Sequence, residues 1–309
     1  MPNNTIGWGQ AAANNSNGFG AAAQNNNINW GWIHSRSYGH DETNLVGAPP
    51  SFFDQFGTPA AAYSLRDLSG SNPNVIEVRR SSDNAVQDFT ASEITNGSLA
   101  TWVGVGNDGF IRTWYNQTGT NDATQTTASA QPLIVDAGSL VLENGLPASD
   151  FDGVNHYLIN NSFGIDVTTD HYVFSVIKGD DTTALQFILA SYIASANRYA
   201  LGFQTCKIGY QKRTSIFENV SATADTNQNL ITTTPTPEIY KNAILGTAGT
   251  HSIFNGAVSP NTTTIGVNTS VLAGGYFNGK IQEIIVFDTN KSADRTAIQT
   301  NINDYYSIY

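Results

Sequence analysis

The side chains best suited to ligand chemistry in this chain lie in one polar run, Trp114-Tyr-Asn-Gln-Thr-Gly-Thr-Asn-Asp-Ala-Thr-Gln125. Asn116, Gln117 and Gln125 each offer an amide donor and acceptor, and Asp122 adds a carboxylate, the mixture that pairs with sugar hydroxyls. They are the candidate ligand-binding residues. The same groups could instead bond to backbone amides and brace a corner of the fold. Glu283 is a second candidate, because period-two alternation groups it with Ile281, Ile285 and Phe287, and a carboxyl on an apolar face has a raised pKa suited to acid catalysis. Its bland alternative is a buried structural glutamate satisfied by backbone donors or an arginine, and no partner carboxylate is identifiable.

Other reactive types carry less. Arg79 and Arg80 are adjacent on a strand and so point to opposite faces, leaving at most one for a ligand and favouring a surface ion pair. His34, His40, His156, His171 and His251 show no metal-ligand spacing, so no metal site is read from them. No cofactor is expected. Asp150, Asp152 and Asn155 could set oxygens around calcium, but they lack the regular spacing of a known loop. Trp102, Tyr192, Tyr199 and Tyr276 could stack on sugar rings, although Trp102 stands in a run that more often packs inside. Sequons such as Asn116-Gln-Thr and Asn219-Val-Ser follow from an Asn/Thr/Ser-rich composition.

These groups must be held by strands. Ile111, Thr113 and Tyr115 alternate before the turn formers of 116–122, and Ile76 and Val78 alternate with Glu77 and Arg79. The runs 171–178, 184–190 and 198–203 are apolar on both faces, as in strands covered on both sides. Ser252–Gly256 reads as a hairpin with its turn at Asn255-Gly256. Near the end, Gly279–Phe287 reads as a strand, and Ser292 is expected to cap a helix whose stripe is Ile298, Ile302 and Tyr305 or Tyr306, with Asp294 in its first turn. Many strands and almost no helical period give an all-β sandwich.

Composition bounds the rest. The 309 residues can form one large β domain plus an appendage. Only 13% are charged and the net charge is −11, which disfavours nucleic acid as a partner. Cys206 stands alone, so no internal disulfide forms. No stretch is apolar enough to insert in a membrane, and the start lacks the basic and apolar regions of a secretion signal.

The first 45 residues differ from the remainder. Trp8, Phe19 and Trp30 recur at an interval of 11, each followed by glycine, with Asn-rich runs between. Such units hold too little apolar surface to form a core alone. The expectation is a virion anchor in which Trp8, Phe19, Trp30 and Trp32 insert into capsid or tail subunits; the alternative is a disordered tail. Residues 34–55 read as a connector, with the domain boundary at 45/46.

The runs Arg79-Arg-Ser-Ser-Asp-Asn84, Trp114–Asp122 and Phe151-Asp-Gly-Val-Asn-His-Tyr-Leu158 together resemble the amino half of the catalytic domain of B-type α-L-arabinofuranosidases, a concanavalin A-like jelly roll, and the laminin-G-like modules of bacteriophage virion proteins. The strand 279–287, the short helix and the Tyr-Tyr ending resemble the carboxyl terminus of laminin-G-like modules. The resemblance implies an all-β jelly roll with a short C-terminal helix, carried by a phage head- or tail-fibre or capsid-decoration protein that exposes a carbohydrate-binding face on the virion, as a homotrimer. The alternative it implies is a glycoside hydrolase. That family has Asp where this chain has Asn116. Its nucleophile strand is expected after Tyr172–Lys178, where Lys178-Gly-Asp-Asp offers no match, so no catalytic residue is carried over.

Overall fold

The computed structural model describes residues 49–167, 169–192, 199–212, 221–236, 238–247, 261–268 and 275–309. The anchor candidates Trp8, Phe19, Trp30 and Trp32, and the expected Asn255-Gly256 turn, lie outside the described residues. Residues Ser51–Tyr309 form one compact unit. It is an all-β, jelly-roll-like sandwich of antiparallel strands in two layers. The larger layer runs, in spatial order, Val86–Thr90, Asn74–Arg80, Gly109–Trp114, Ala123–Thr124, Leu158–Asn160, Thr262–Ile265, Gln186–Tyr192, Tyr199–Gln204, Lys207–Lys212 and Ser221–Thr223. In the smaller layer Asn278–Phe287 has Ala61–Ser64 and Ser149–Asp152 along one edge. Tyr172–Gly179, Gln228–Thr233, Ile239–Lys241 and Ile244–Leu245 follow on its other side. Leu133–Asp136 bridges the layers, pairing with Gly109–Trp114 and, at Leu133, with Asp150.

Alternating strand residues fill the space between the layers with Tyr63, Trp114, Phe151, Phe203, Phe277 and a surrounding set of Ile, Val and Leu. Phe277 stacks on Phe203 at 6.1 Å and meets Phe151 edge-on at 6.1 Å. Tyr172–Gly179 is buried along nearly its whole length because it has a strand on each side, the interlayer core on one face and a second core on the other. That second core lies between the smaller layer and two helices, Phe52–Phe56 and Arg295–Tyr306.

One irregularity corrects a sequence expectation. Opposite Val176 and Ile177 the pairing skips Gln282, a β-bulge in the strand Asn278–Phe287. The extra residue reverses the alternation, so Ile281, Ile284 and Val286 face the interlayer core while Ile285 and Phe287 face the helices. Glu283 therefore shares a face with Ile285 and Phe287 and not with Ile281. Just before the bulge, Gly279 has φ +144 and lies opposite Gly179; a Cβ there would stand 2.1 Å from the Lys178 carbonyl.

The terminal helix also starts later than expected. Ser292 is not its cap: the amides of Asp294 and Arg295 both donate to the Lys291 carbonyl, making a turn, and Asp294 holds the cap position without a side-chain bond to the helix. The stripe itself is as expected, with Ile298, Ile302 and Tyr306 buried and Tyr305 on the rim. The helix Phe52–Phe56 falls in the segment read as a connector. Ser51 and Asp54 form a reciprocal capping box, and Phe52 and Phe56 enter the second core.

Beneath the terminal helix sits a buried ion pair. Arg66 donates from Nε to Glu283 Oε2 at 2.8 Å and from Nη2 to Oε1 at 3.0 Å; Ser64 Oγ adds 2.7 Å and Tyr306 Oη 3.4 Å to Oε2. The guanidinium also lies 4.8 Å from the Tyr305 ring centre and 5.7 Å from those of Phe52 and Tyr306. Removing one partner of such a pair leaves a bare buried charge. Arg66→Met is expected to cost about 3–5 kcal/mol of stability, read by chemical denaturation, and Glu283→Gln combined with it should recover part of that loss.

Candidate functional site

The outer face of the larger layer carries polar side chains at one end and a small apolar cluster of Phe187, Ala190 and Ala200 at the other. Glu77, Thr113, Thr124, Ile159, Thr264, Ala190 and Ala200 stand opposite one another in register across seven strands. Their neighbours Ile76, Val78, Ile111, Trp114, Ala123, Leu158, Ile265, Leu189 and Leu201 point inward to the core. Along this row Thr124 and Ile159 are half-exposed, while Thr113, Thr264, Ala190 and Ala200 are buried.

One end of this face is cationic. Arg112 Nη1 donates to both oxygens of Glu77 at 2.9 Å, and Thr113 Oγ1 donates to Glu77 Oε2 at 3.0 Å. A bulge at Arg112 places both residues on the outer face. Arg79 lies over the Phe110 ring, 4.8 Å from its centre. Its Nε donates to Gln131 Oε1 at 2.7 Å, Nη1 to Asn84 Oδ1 at 3.0 Å and Nη2 to the Ala128 carbonyl at 3.1 Å. Arg80, on the opposite face, makes the expected surface ion pair with Asp83 at 2.7 Å, and its guanidinium covers Trp102. Tyr115 Oη donates to Asp88 at 2.7 Å, and burial followed by that carboxylate keeps the phenol protonated well above its usual pKa.

The other end is aromatic. Tyr157 and Tyr276 are half-buried with ring centres 6.4 Å apart. Gly275, with φ +86, has no room for a Cβ because Phe187 lies 2.8 Å from where it would stand, so backbone and ring are in contact beside Tyr276. A chain of amides joins the two ends. Gln131 Nε2 donates to the Gln125 carbonyl at 2.8 Å, Gln125 Nε2 donates to the Tyr157 carbonyl at 3.2 Å, and Gln125 Oε1 accepts from the Thr127 amide at 2.9 Å. Gln125 and Gln131 are themselves buried, and a buried polar network is rigid only when each member is satisfied.

The candidate loop is thus next to the site and braces it. Asn116 Oδ1 accepts from the Ala62 amide at 2.8 Å and its Nδ2 donates to the Thr120 carbonyl. Gln117 Oε1 accepts from the Leu68 amide at 2.8 Å while Nε2 donates to the Ser64 and Arg66 carbonyls at 3.2 and 2.7 Å. Asp122 accepts from the Asn116 amide at 2.9 Å. Glu283 is spent on Arg66. Among the aromatic candidates, Tyr199 is wholly buried, its hydroxyl paired with Thr233 Oγ1 at 2.8 Å, and Trp102 packs edge-on against Phe89 at 5.4 Å; Tyr276 reaches this face beside Tyr157, and Tyr192 stands on it two positions along the strand from Ala190. Tyr157, Phe110, Arg112 and Gln131 were not singled out. The alternation of Phe110 and Arg112 with Ile111 was the signal available for two of them.

Among the described residues no group of three or more His, Cys, Asp or Glu is gathered to hold a metal ion. Of the calcium candidates, Asp152 Oδ1 accepts from the amides of Val154, Asn155 and His156 at 2.9, 3.0 and 3.1 Å, and Oδ2 lies 3.4 Å from His156 Nε2. Asp150 differs: burial raises its pKa, with Lys280 opposing.

No protein-family model and no curated protein matches the chain. Solved structures do. A GH54 α-L-arabinofuranosidase soaked with a cyclic sulfate inhibitor superposes with a TM-score of 0.61 at 16% identity, over 83% of this chain and 65% of that one. An arabinofuranosidase complexed with arabinofuranosyl-α-1,2-xylobiose gives 0.54 at 15% identity, over 83% and 64%. The chain spans just under two thirds of the length of these enzymes. The likeness is one of fold, and at that level the arabinofuranosidase resemblance read from 79–84, 114–122 and 151–158 holds.

The 152–156 turn is expected to respond to acid. Burial pushes Asp152 upward, but the three backbone donors outweigh it and hold the carboxyl below the ordinary 3.8. A depressed folded pKa stabilises at pH above the unfolded value and is lost as pH falls through the folded one. Protection of the Val154, Asn155 and His156 amides, measured against their intrinsic exchange rates, should therefore hold at neutral pH and fall, ahead of global unfolding, once pH drops below 3.8; in Asp152→Asn this pH-dependent loss should be absent.

Proposed function

We propose that the Ser51–Tyr309 unit is a glycan-binding sandwich whose ligand lies along the outer face of the larger layer, between Arg112 and Tyr157. The observation that carries this reading is the placement on one face of a tyrosine pair, the half-exposed Thr124 and guanidinium groups, tied together by the Gln131–Gln125 network. Aromatic rings match the apolar faces of sugars, and hydroxyls and guanidiniums match their polar edges. The fold supports the reading, since the arabinofuranosidases that share it act on or hold arabinofuranosides. Binding is put ahead of hydrolysis because the carboxylates described on this face, Glu77 and Asp88, are bound to Arg112 and Tyr115, and neither is assigned as the acid or the nucleophile that glycoside cleavage sets on either side of the scissile bond. Removing the rings by Tyr157→Ala with Tyr276→Ala should weaken binding to oligosaccharides by about tenfold or more, roughly 1.4 kcal/mol, in calorimetry, with the melting temperature little changed. Equal affinity in the double variant overturns the assignment of this face.

The proposal extends to residues 1–45 as an anchor to capsid or tail subunits of a virion, displaying the sandwich as a homotrimer on the particle surface. Its support is the regular Trp8, Phe19 and Trp30 spacing, since several copies of a weak aromatic contact gain strength from effective concentration. A chain lacking 1–45 should remain folded yet be absent from purified particles; its incorporation at normal copy number would defeat the anchor.

A further inference from the structure

Arg79 stands apart from the other arginines of this layer and its surroundings. Arg66, Arg80 and Arg112 each hold a carboxylate. The three partners of Arg79 are all neutral: an amide oxygen of Gln131, an amide oxygen of Asn84 and the Ala128 carbonyl. Among the described residues no ion pair reaches it, and burial pulls its pKa down with no acid to oppose the pull. A guanidinium has five N–H donors and stays charged at any physiological pH, so two donors remain for a ligand. The group is preorganised. Phe110 supports it from below, and Gln131, itself almost fully buried, fixes Nε. On the adjacent strand Arg112 points to the same face, two residues from Phe110, which is registered opposite Arg79.

A half-buried cation that meets no counter-ion among the described residues is unusual in a chain of net charge −11. An arriving anion supplies that counter-ion, and a planar fork is matched by a carboxylate. From this geometry we infer that the glycan is acidic: a uronate unit seats its carboxylate on Arg79, with neighbouring sugars running past Arg112 and Thr124 toward Tyr157 and Tyr276. The inference rests on the glycan-binding reading of the same face and names its ligand class. Two features make the cation a site and not a stray charge. It is oriented by three bonds, and one of them, to Gln131, joins the network that reaches the Tyr157 carbonyl.

The test uses the full chain and trisaccharides of galacturonate, glucuronate and mannuronate, each beside its methyl ester, which keeps size and hydroxyls and removes charge. At least one acid should bind tenfold or more tightly than its ester, with affinity falling as salt rises. Arg79→Gln should abolish that preference by lowering affinity for the acid far more than for the ester, and Arg79→Lys, which keeps the charge, should restore part of it; melting temperatures identify any variant that fails to fold. Acid and ester binding equally, or a preference that survives in Arg79→Gln, overturns the acidic ligand and leaves a neutral glycan on this face. If no saccharide of the set binds, and Tyr157→Ala changes nothing on a broader glycan array, the glycan reading falls with it.

Discussion

The strand Asn278–Phe287 must satisfy two cores at once, and that constraint shapes the whole molecule. Ile281, Ile284 and Val286 fill the sandwich, while Ile285 and Phe287 seat the terminal helix. A regular strand could not reach both sets with this sequence. The bulge at Gln282 resolves the conflict by shifting the alternation by one, and it turns Glu283 under the helix, where Arg66, Ser64 and Tyr306 neutralise and bond it. The spare residue is used as well: Gln282 Nε2 donates to the carbonyls of Glu143, Leu146 and Pro147, tying down the small hairpin beside it.

Because the helices seal the outer face of the smaller layer, the outer face of the larger one is where polar function can live. Its strands obey the same alternation, and their outward positions carry Thr, Arg and Glu toward one end and the small apolar cluster of Phe187, Ala190 and Ala200 toward the other. The loop 116–125 contributes by fixing the backbone, since Asn116 and Gln117 reach Ala62, Ser64, Arg66 and Leu68, which belong to the other layer. Two amide side chains therefore hold the layers in register at the corner from which Thr124 and Gln125 depart.

What the sequence made legible follows from range. Strands at 110–115, 171–178 and 279–287 were readable because their patterns are local and strong, and so was the stripe of Ile298, Ile302 and Tyr306. The residue types of 116–125 announced hydrogen bonding, yet the partners of Asn116 and Gln117 across the layers lie 49 to 54 residues away, so bracing and binding could not be separated. Glu283 was ambiguous for the same reason: Arg66 is 217 positions distant. The bulge left no mark in the pattern of apolar residues. The capping box at Ser51 and Asp54 was local and visible, but the Pro-Pro before it drew the segment toward a connector.

Position within the fold, more than residue type, separates binding groups from structural ones here. Gln117 and Gln125 are the same side chain on one loop, and both are buried and fully bonded. Gln117 joins two layers and touches nothing on the outer face; Gln125 links Gln131, and through it Arg79, to the backbone of Tyr157. A rigid amide chain of this kind fixes the separation between a cation and an aromatic pair, which a flexible surface could not do without losing conformational entropy on each encounter. Arg79, held by neutral acceptors and the Phe110 ring, keeps a charge that no carboxylate among the described residues neutralises.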